Sequence, residues 1–159
     1  MRSFVGKPPS RVYLGLGSNL GNRQRAIQNA VGALRSAGVH VVRTSCLYET
    51  KAQYQENQPR FLNAVCEVTT ELDPLALLAT AKRIEKTLGR VPSSRYGPRA
   101  VDIDLLLYDG VTMNTPELTL PHPRMCERDF VLRPLDDLAP DETRALCGAS
   151  REKKTDTTM

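Results

Sequence analysis

The sharpest chemical feature of this chain is a pair of carboxylates, Asp102 and Asp104, set in the otherwise apolar run Val101 to Tyr108 (VDIDLLLY). Side chains alternate along a strand, so both carboxylates point to one face while Val101, Ile103, Leu105 and Leu107 point to the other. Two carboxylates held side by side repel unless cations sit between them. Hard oxygen ligands so arranged suit Mg²⁺, which takes one or two carboxylates and completes its shell with water and substrate phosphates. The plain alternative is a solvated sheet face, but aspartate is a poor strand former and two of them in such a run need a reason. Just upstream, the loop Arg90 to Ala100 carries Arg90, Arg95 and Arg99 among prolines and serines. The planar guanidinium binds phosphate through two donors at once. Carboxylates that hold magnesium, with arginines delivered beside them, make a phosphoryl-transfer arrangement. Any one of these arginines taken alone is equally a surface ion-pair partner.

Weaker candidates surround this pair. His122 is fixed between Pro121 and Pro123, where it is either inert or a donor to phosphate; His40 precedes a strand and reads as structural. Phe61 and Phe130 are candidates to grip a flat ring whose polar edge Asn63 would read, with core packing as the alternative for both aromatics. The turn Gly15 to Gly21 (GLGSNLG) lacks the GK[ST] of a phosphate-binding loop and misses the dinucleotide glycine spacing. A tight strand-to-helix turn accounts for its glycines without a ligand.

The elements that must position these residues follow from periodicity. Arg11 to Gly17 alternates as a strand; Ile27, Ala30, Val31 and Leu34 recur at helical spacing up to Gly38; Val39 to Tyr48 reads as a second strand. Thr50 to Arg60 is polar and reads as a loop, and Phe61 to Thr70 (FLNAVCEVTT) as a third strand. Asp73-Pro74 opens a helix with a cap and a first-turn proline. Its apolar stripe is Leu77, Leu78, Ala81, Ile84 and Leu88, and Gly89 ends it. With Val101 to Tyr108 as the fourth strand, the order β-α-β-β-α-β predicts an α+β fold: a ferredoxin-like core with an antiparallel sheet and helices packed on it. Asp109 to Pro140 is a proline-punctuated C-terminal appendage with a short helix near Cys126 to Leu132. A single domain over residues 11–142 is expected, with flexible tails at 1–10 and 143–159.

Length and composition limit the function classes. The chain has 159 residues, 40% hydrophobic and 25% charged, enough for one domain with a real core. No apolar run approaches a membrane span, and the first ten residues lack the apolar core of a secretory signal. The four cysteines, Cys46, Cys66, Cys126 and Cys147, are widely spaced without a CxxC pair, so neither a zinc cluster nor a disulfide framework is expected. A reducing cytoplasm is the compartment this implies. The formal charge is +4, yet Lys82 to Arg99 holds six cations against Glu85 alone. That concentration points to a polyanion, nucleotide phosphates or nucleic acid, unless it is merely a solvated helix face running into a basic loop.

Taken together, these residues resemble the 6-hydroxymethyl-7,8-dihydropterin pyrophosphokinase family, from about Tyr13 to Pro140. The most specific piece is Arg95 to Leu106 (RYGPRAVDIDLL). LGLGSNLGNR (Leu14 to Arg23), YET (Tyr48 to Thr50), FLNAV (Phe61 to Val65), PHPRM (Pro121 to Met125) and ERDFVLRPL (Glu127 to Leu135) follow the family in order. The resemblance implies ATP-dependent transfer of a pyrophosphoryl group to the pterin hydroxymethyl oxygen in folate biosynthesis, releasing AMP. It implies two Mg²⁺ ions on Asp102 and Asp104 and catalytic Arg90 and Arg99 on a loop that closes over the phosphates. ATP would lie against Lys82, Glu85, His122 and Arg128, and the pterin against Thr50, Phe61, Asn63 and Phe130. A monomer without nucleic-acid or membrane partners is expected. Lys51-Ala52 departs from the proline usual soon after Thr50, and Tyr96 stands where tryptophan is frequent.

Three rivals remain to be weighed. A nucleotidyltransferase also pairs a Gly-Ser turn with Asp-x-Asp, but there the two lie close in sequence, unlike Gly17-Ser18 and Asp102. An RNA-binding ferredoxin-like domain needs exposed sheet aromatics that these strands lack in the required pattern. An inactive homologue sits poorly with intact aspartates and arginines.

Overall fold

The computed structural model describes residues 8–51, 58–89 and 100–148. Strand β1 (Ser10–Ser18) leads through a turn into helix α1 (Arg23–Ser36), followed by β2 (His40–Thr44), β3 (Tyr48–Thr50), β4 (Phe61–Thr70), α2 (Pro74–Thr87) and β5 (Asp102–Tyr108). One antiparallel sheet forms in the order β2-β4-β1-β5, with β3 also paired to β4. A small hairpin, β6 (Met113–Asn114) and β7 (Thr119–Leu120), precedes a 3₁₀ turn at Met125–Glu127 and helices α3 (Asp129–Leu138) and α4 (Pro140–Cys147). The fold is therefore α+β, an antiparallel sheet with four helices.

Local chemistry explains the two long helices. Asn22 caps α1 by accepting the Arg25 N–H at 3.0 Å, and Asp73 caps α2 by accepting the Ala76 N–H at 2.9 Å. Gly38 and Gly89 follow them with φ of +87° and +99°, the left-handed conformation that glycine adopts without strain. Both helices lie on one face of the sheet. There Ile27, Val31 and Leu34 of α1 and Leu77, Ala81 and Ile84 of α2 pack on Val12, Leu14 and Leu16 of β1, Cys66 and Val68 of β4, and Ile103 and Leu105 of β5. Leu77 is fully buried in this layer, and truncating such a leucine to alanine costs about 2–5 kcal/mol.

Several expectations are corrected. The segment Val39 to Tyr48 is two strands, because Ser45 interrupts it: its N–H donates to Val65 O while its hydroxyl accepts the Val65 N–H. The register of β1 on β5 shifts between Tyr13 and Leu14, which makes Leu106 the extra residue of a bulge. Leu107 is thereby turned from the face of Ile103 and Leu105 to the opposite layer. That opposite layer is a second core: Tyr13, Val65 and Leu106 covered by Met125 and by Val131, Leu135 and Leu138 of α3. Ordered chain continues past 142. Within α4 the Thr143 side chain is buried and its hydroxyl donates to Ala139 O at 2.7 Å. The cysteine expectation also fails, since Cys126 and Cys147 form a disulfide, α4 bringing their Cα atoms to 5.3 Å. Cys46 and Cys66 are free thiols, and burial pushes Cys66 up to about 12. The argument for a reducing compartment loses the support it drew from unpaired cysteines. Among the described residues no helix is long and apolar enough to cross a membrane.

Candidate active site

Helix α3 covers only part of its sheet face, and the candidate residues line up on the remainder. Gly17 of β1 pairs with Asn63 of β4 on one side and with Asp102 of β5 on the other; Gly15 likewise pairs with Asp104. Residues paired across a sheet share a face. Asn63, Gly17 and Asp102 thus form one row, with Asn63 about 10 Å from Asp102, two strand spacings. Asp102 and Asp104 are half-buried on this face, while Ile103 between them is fully buried against the helices.

The central strand contributes no side chain to the row, and the reason is steric. A Cβ at Gly17 would lie 3.0 Å from Asn63 Oδ1 and 3.7 Å from Phe61 Cδ1. Gly17 is therefore favoured by the close approach of Asn63, whereas a Cβ at Gly15 would meet Leu106 at an ordinary 3.5 Å. The left-handed turn read from the sequence applies at Gly21, where φ is +69°. Asn63 is buried, and its Nδ2 donates to Thr50 Oγ1 at 2.9 Å. That bond orients the amide and leaves Oδ1 over Gly17. Thr50, Phe61 and Asn63 are brought together as expected, Thr50 lying opposite Phe61 where β3 pairs with β4.

The turn after β1 does more than change direction. Asn19, buried, donates from Nδ2 to Gln58 Oε1 at 2.7 Å and to Pro59 O at 3.0 Å. Arg23 donates to Glu49 Oε2 at 2.8 Å and to Arg60 O at 2.9 Å. These two side chains clamp both ends of the segment that precedes Phe61. Neither was among the residues read as functional, although the polar Asn-x-x-x-Arg directly after an apolar strand was the available signal.

On the far side of the aspartates, the backbone of His122 extends β5, its N–H donating to Leu106 O at 2.9 Å. Its Nδ1 accepts the Arg124 N–H at 3.1 Å, so a neutral ring carries its proton on Nε2. Burial lowers the His122 pKa, the Asp104 charge opposes that shift, and Arg128 and Arg124 add to it. Arg128 places its guanidinium 5.5 Å from the centroid of Phe130, which is half-buried on α3. Arg128 Nε is buried and makes no hydrogen bond among the described residues. A buried, unsatisfied guanidinium nitrogen calls for an anionic partner.

Lys82 and Glu85 behave differently from each other. Lys82 is exposed on α2, with Nζ 3.5 Å from Glu85 Oε1. Glu85 is 2% exposed and turned inward, accepting the Ile103 N–H on Oε2 at 2.7 Å. Arg90 and Arg99, like Arg95, lie outside the described residues.

The two carboxylates fit magnesium. No group of three or more His, Cys, Asp or Glu side chains suited to a metal occurs among the described residues. A two-carboxylate site open to one face is what Mg²⁺ accepts when water and phosphate oxygens supply the rest of its shell.

The antiparallel sheet thus presents on one face the Asp102 and Asp104 carboxylates to one side of Gly17 and the Asn63 amide, with Thr50 and Phe61, to the other. Residues 13–140 match the model of the 7,8-dihydro-6-hydroxymethylpterin-pyrophosphokinase family, and the chain belongs to that family. It is 39% identical over 143 residues to the 2-amino-4-hydroxy-6-hydroxymethyldihydropteridine pyrophosphokinase of Bacillus subtilis, covering 89% of this chain and 86% of that protein. It is 46% identical over 139 residues to the folic acid synthesis protein fol1 of Pneumocystis carinii, covering 87% of this chain. The chain spans only 19% of the length of that fungal relative. A crystal structure of Plasmodium falciparum HPPK-DHPS with pteroate superposes with a TM-score of 0.70 at 18% identity, covering 96% of this chain and 45% of that one.

Proposed function

We propose that this chain transfers the terminal pyrophosphoryl group of ATP to the hydroxymethyl oxygen of 6-hydroxymethyl-7,8-dihydropterin, releasing AMP, as a step of folate biosynthesis. The observation that carries the proposal is the row Asn63–Gly17–Asp102, which sets the Asn63 amide, beside Thr50 and Phe61, two strand spacings from the Asp102 carboxylate and supports reading one as the ring site and the other as the metal site. Membership of a family described as a 7,8-dihydro-6-hydroxymethylpterin-pyrophosphokinase supports this choice of acceptor and of transferred group.

In this reading Phe61 and Phe130 hold the pterin ring, while Asn63 and Thr50 meet its polar edge. Asn63 serves through the oxygen that its bond to Thr50 leaves over Gly17. Asp102 and Asp104 hold two Mg²⁺ ions, which when bound neutralise phosphate charge and favour ionisation of the acceptor hydroxyl. Arg128, with its unsatisfied Nε, and His122, with Nε2–H, take phosphate oxygens on the other side of the aspartates, and Lys82 supplies exposed positive charge nearby. The hydroxymethyl oxygen gives up its proton to water and forms a bond to the β-phosphorus, the bond from that phosphorus to the oxygen bridging to the α-phosphate breaks, and AMP leaves with that oxygen. Arg90 and Arg99 are assigned to charge stabilisation during this transfer on the strength of the family motif. The β2-β4-β1-β5 order supports reading the core as ferredoxin-like, with the hairpin and α3–α4 as its appendage. A cytoplasmic monomer is the form we propose for it.

The test is AMP release from ATP and Mg²⁺ with and without 6-hydroxymethyl-7,8-dihydropterin. Pterin-dependent AMP is expected; ADP, or AMP that ignores the pterin, refutes the assignment.

A further inference from the structure

The family resemblance sets Glu85 against ATP, yet its carboxylate is 2% exposed and turned onto the backbone of β5, which points to a different task. Among the described residues strand β5 is the last strand of the sheet and is laddered to β1 alone, with one backbone bond, His122 N–H to Leu106 O, on its outer side. An edge strand leaves outward-facing N–H groups without a ladder partner. At Ile103 that N–H is taken by Glu85 Oε2 at 2.7 Å, within the buried interior. Burying a carboxylate is expensive unless it is hydrogen-bonded, and Lys82 at 3.5 Å is itself half exposed. The bound amide belongs to the peptide that joins Asp102 to Ile103, and the peptide unit is planar. Fixing it holds the backbone directly at Asp102 and, through Ile103, one residue short of Asp104. Asp102 is also the first residue of β5, where an edge strand frays most readily. Helix α2 is a firm base for this contact, because Leu77, Ala81 and Ile84 lock it to the sheet.

We propose that Glu85 is a positioning residue for the metal pair: its carboxylate clamps the Ile103 amide so that Asp102 and Asp104 face the same cation before substrate arrives. The inference rests on the reading of Asp102 and Asp104 as the magnesium pair. Glu85→Gln keeps an acceptor of the same reach and removes the charge, whereas Glu85→Asp keeps the charge and withdraws the acceptor. The measurement is Mn²⁺ binding in the presence of α,β-methylene-ATP, followed by the loss of the free Mn²⁺ EPR signal, with binding to the analogue alone subtracted and folding checked by circular dichroism. Glu85→Gln should bind within about threefold of the wild type, and Glu85→Asp about tenfold more weakly, the scale on which outer partners of metal ligands act. Equal binding by both variants and the wild type overturns the proposal, as does a glutamine variant as weak as the aspartate one. Asp102→Asn is the control: if it binds Mn²⁺ like the wild type, the metal pair itself is misassigned, a failure distinct from that of Glu85. Hydrogen exchange at the Ile103 amide of the unmodified protein gives a reading that does not depend on how the variants fold. Slow exchange without ligand is expected, and exchange as fast as a free edge amide overturns the clamp.

Discussion

Substituting Gly17 by alanine tests the geometry of the site with a single methyl group. The new Cβ would lie 3.0 Å from Asn63 Oδ1, where ordinary contact begins at 3.4 Å, so the amide must shift by several tenths of an ångström. It cannot shift freely, because Nδ2 is bound to Thr50 Oγ1 at 2.9 Å and the side chain is buried. Loss of that hydrogen bond and local crowding each contribute about 1 kcal/mol, together a drop of roughly thirtyfold in pterin affinity. The same two costs act on folding, and because alanine in extended backbone restricts the unfolded chain and recovers only about 0.4–1 kcal/mol of them, a net stability loss of about 1 kcal/mol is expected alongside. Affinity for 6-hydroxymethyl-7,8-dihydropterin is measured by calorimetric titration with Mg²⁺ and α,β-methylene-ATP present, and affinity for the nucleotide analogue serves as the control. A folded variant that binds pterin within threefold of the wild type would show that Asn63 and Gly17 do not shape the pocket.

Asp102→Asn and Asp104→Asn should each abolish Mg²⁺-dependent AMP release while leaving the thermal midpoint nearly unchanged, since both side chains are half-buried on an open face; wild-type turnover in either would remove that residue from the metal site. Asn19→Ala removes two hydrogen bonds to residues 58 and 59 and should cost about 2 kcal/mol, read by urea denaturation, with an unchanged midpoint as the refuting result. Reducing the Cys126–Cys147 disulfide, which closes a loop of sequence separation 21, should lower stability by about 3 kcal/mol, and the idea fails if a thiol-titrated, fully reduced sample melts with the oxidised one. Burial, with help from a hydrogen bond to Asp137, pushes the Tyr48 phenol up to about 12 from 10.0. Its folded value lies above its unfolded one, so its contribution is complete below pH 10 and is lost as pH rises through 12. Tyr48→Phe should flatten that part of the stability profile; an identical alkaline fall in both proteins would contradict it.

Much of this was legible in the chain because local rules and packing agree. Apolar residues three and four apart built α1 and α2, Asp73-Pro74 and Gly89 bounded α2, and Asp-x-Asp on a strand put both carboxylates on one face. What stayed hidden depends on partners far away in sequence. The bulge at Leu106 exists only against Tyr13 and Leu14, so alternation alone sent Leu107 to the wrong layer. The break at Ser45 is a side chain meeting Val65, and the disulfide needs α4 folded back on the turn that carries Cys126. Helix α4 looked like a polar tail because most of its surface is polar, and only Thr143 is buried. Glu85 read as a charge on a basic helix, and by resemblance as an ATP contact, because helical spacing does not say how far a side chain reaches into the neighbouring layer.

The pairing of Gly17 with Asp102 also bears on the order in which this protein assembles. More than half of the chain separates the two residues, whereas β4 reaches β1 across a much shorter stretch. Closing the longer loop forfeits more chain entropy before any contact repays it. The β1–β4 pairing around Asn63 is therefore expected to form ahead of the β1–β5 pairing that carries the aspartates, though the closure cost separates them by only about 0.5 kcal/mol. Pulse-labelled hydrogen exchange would register this as protection at Val65 and Cys66 arising ahead of protection at Leu105.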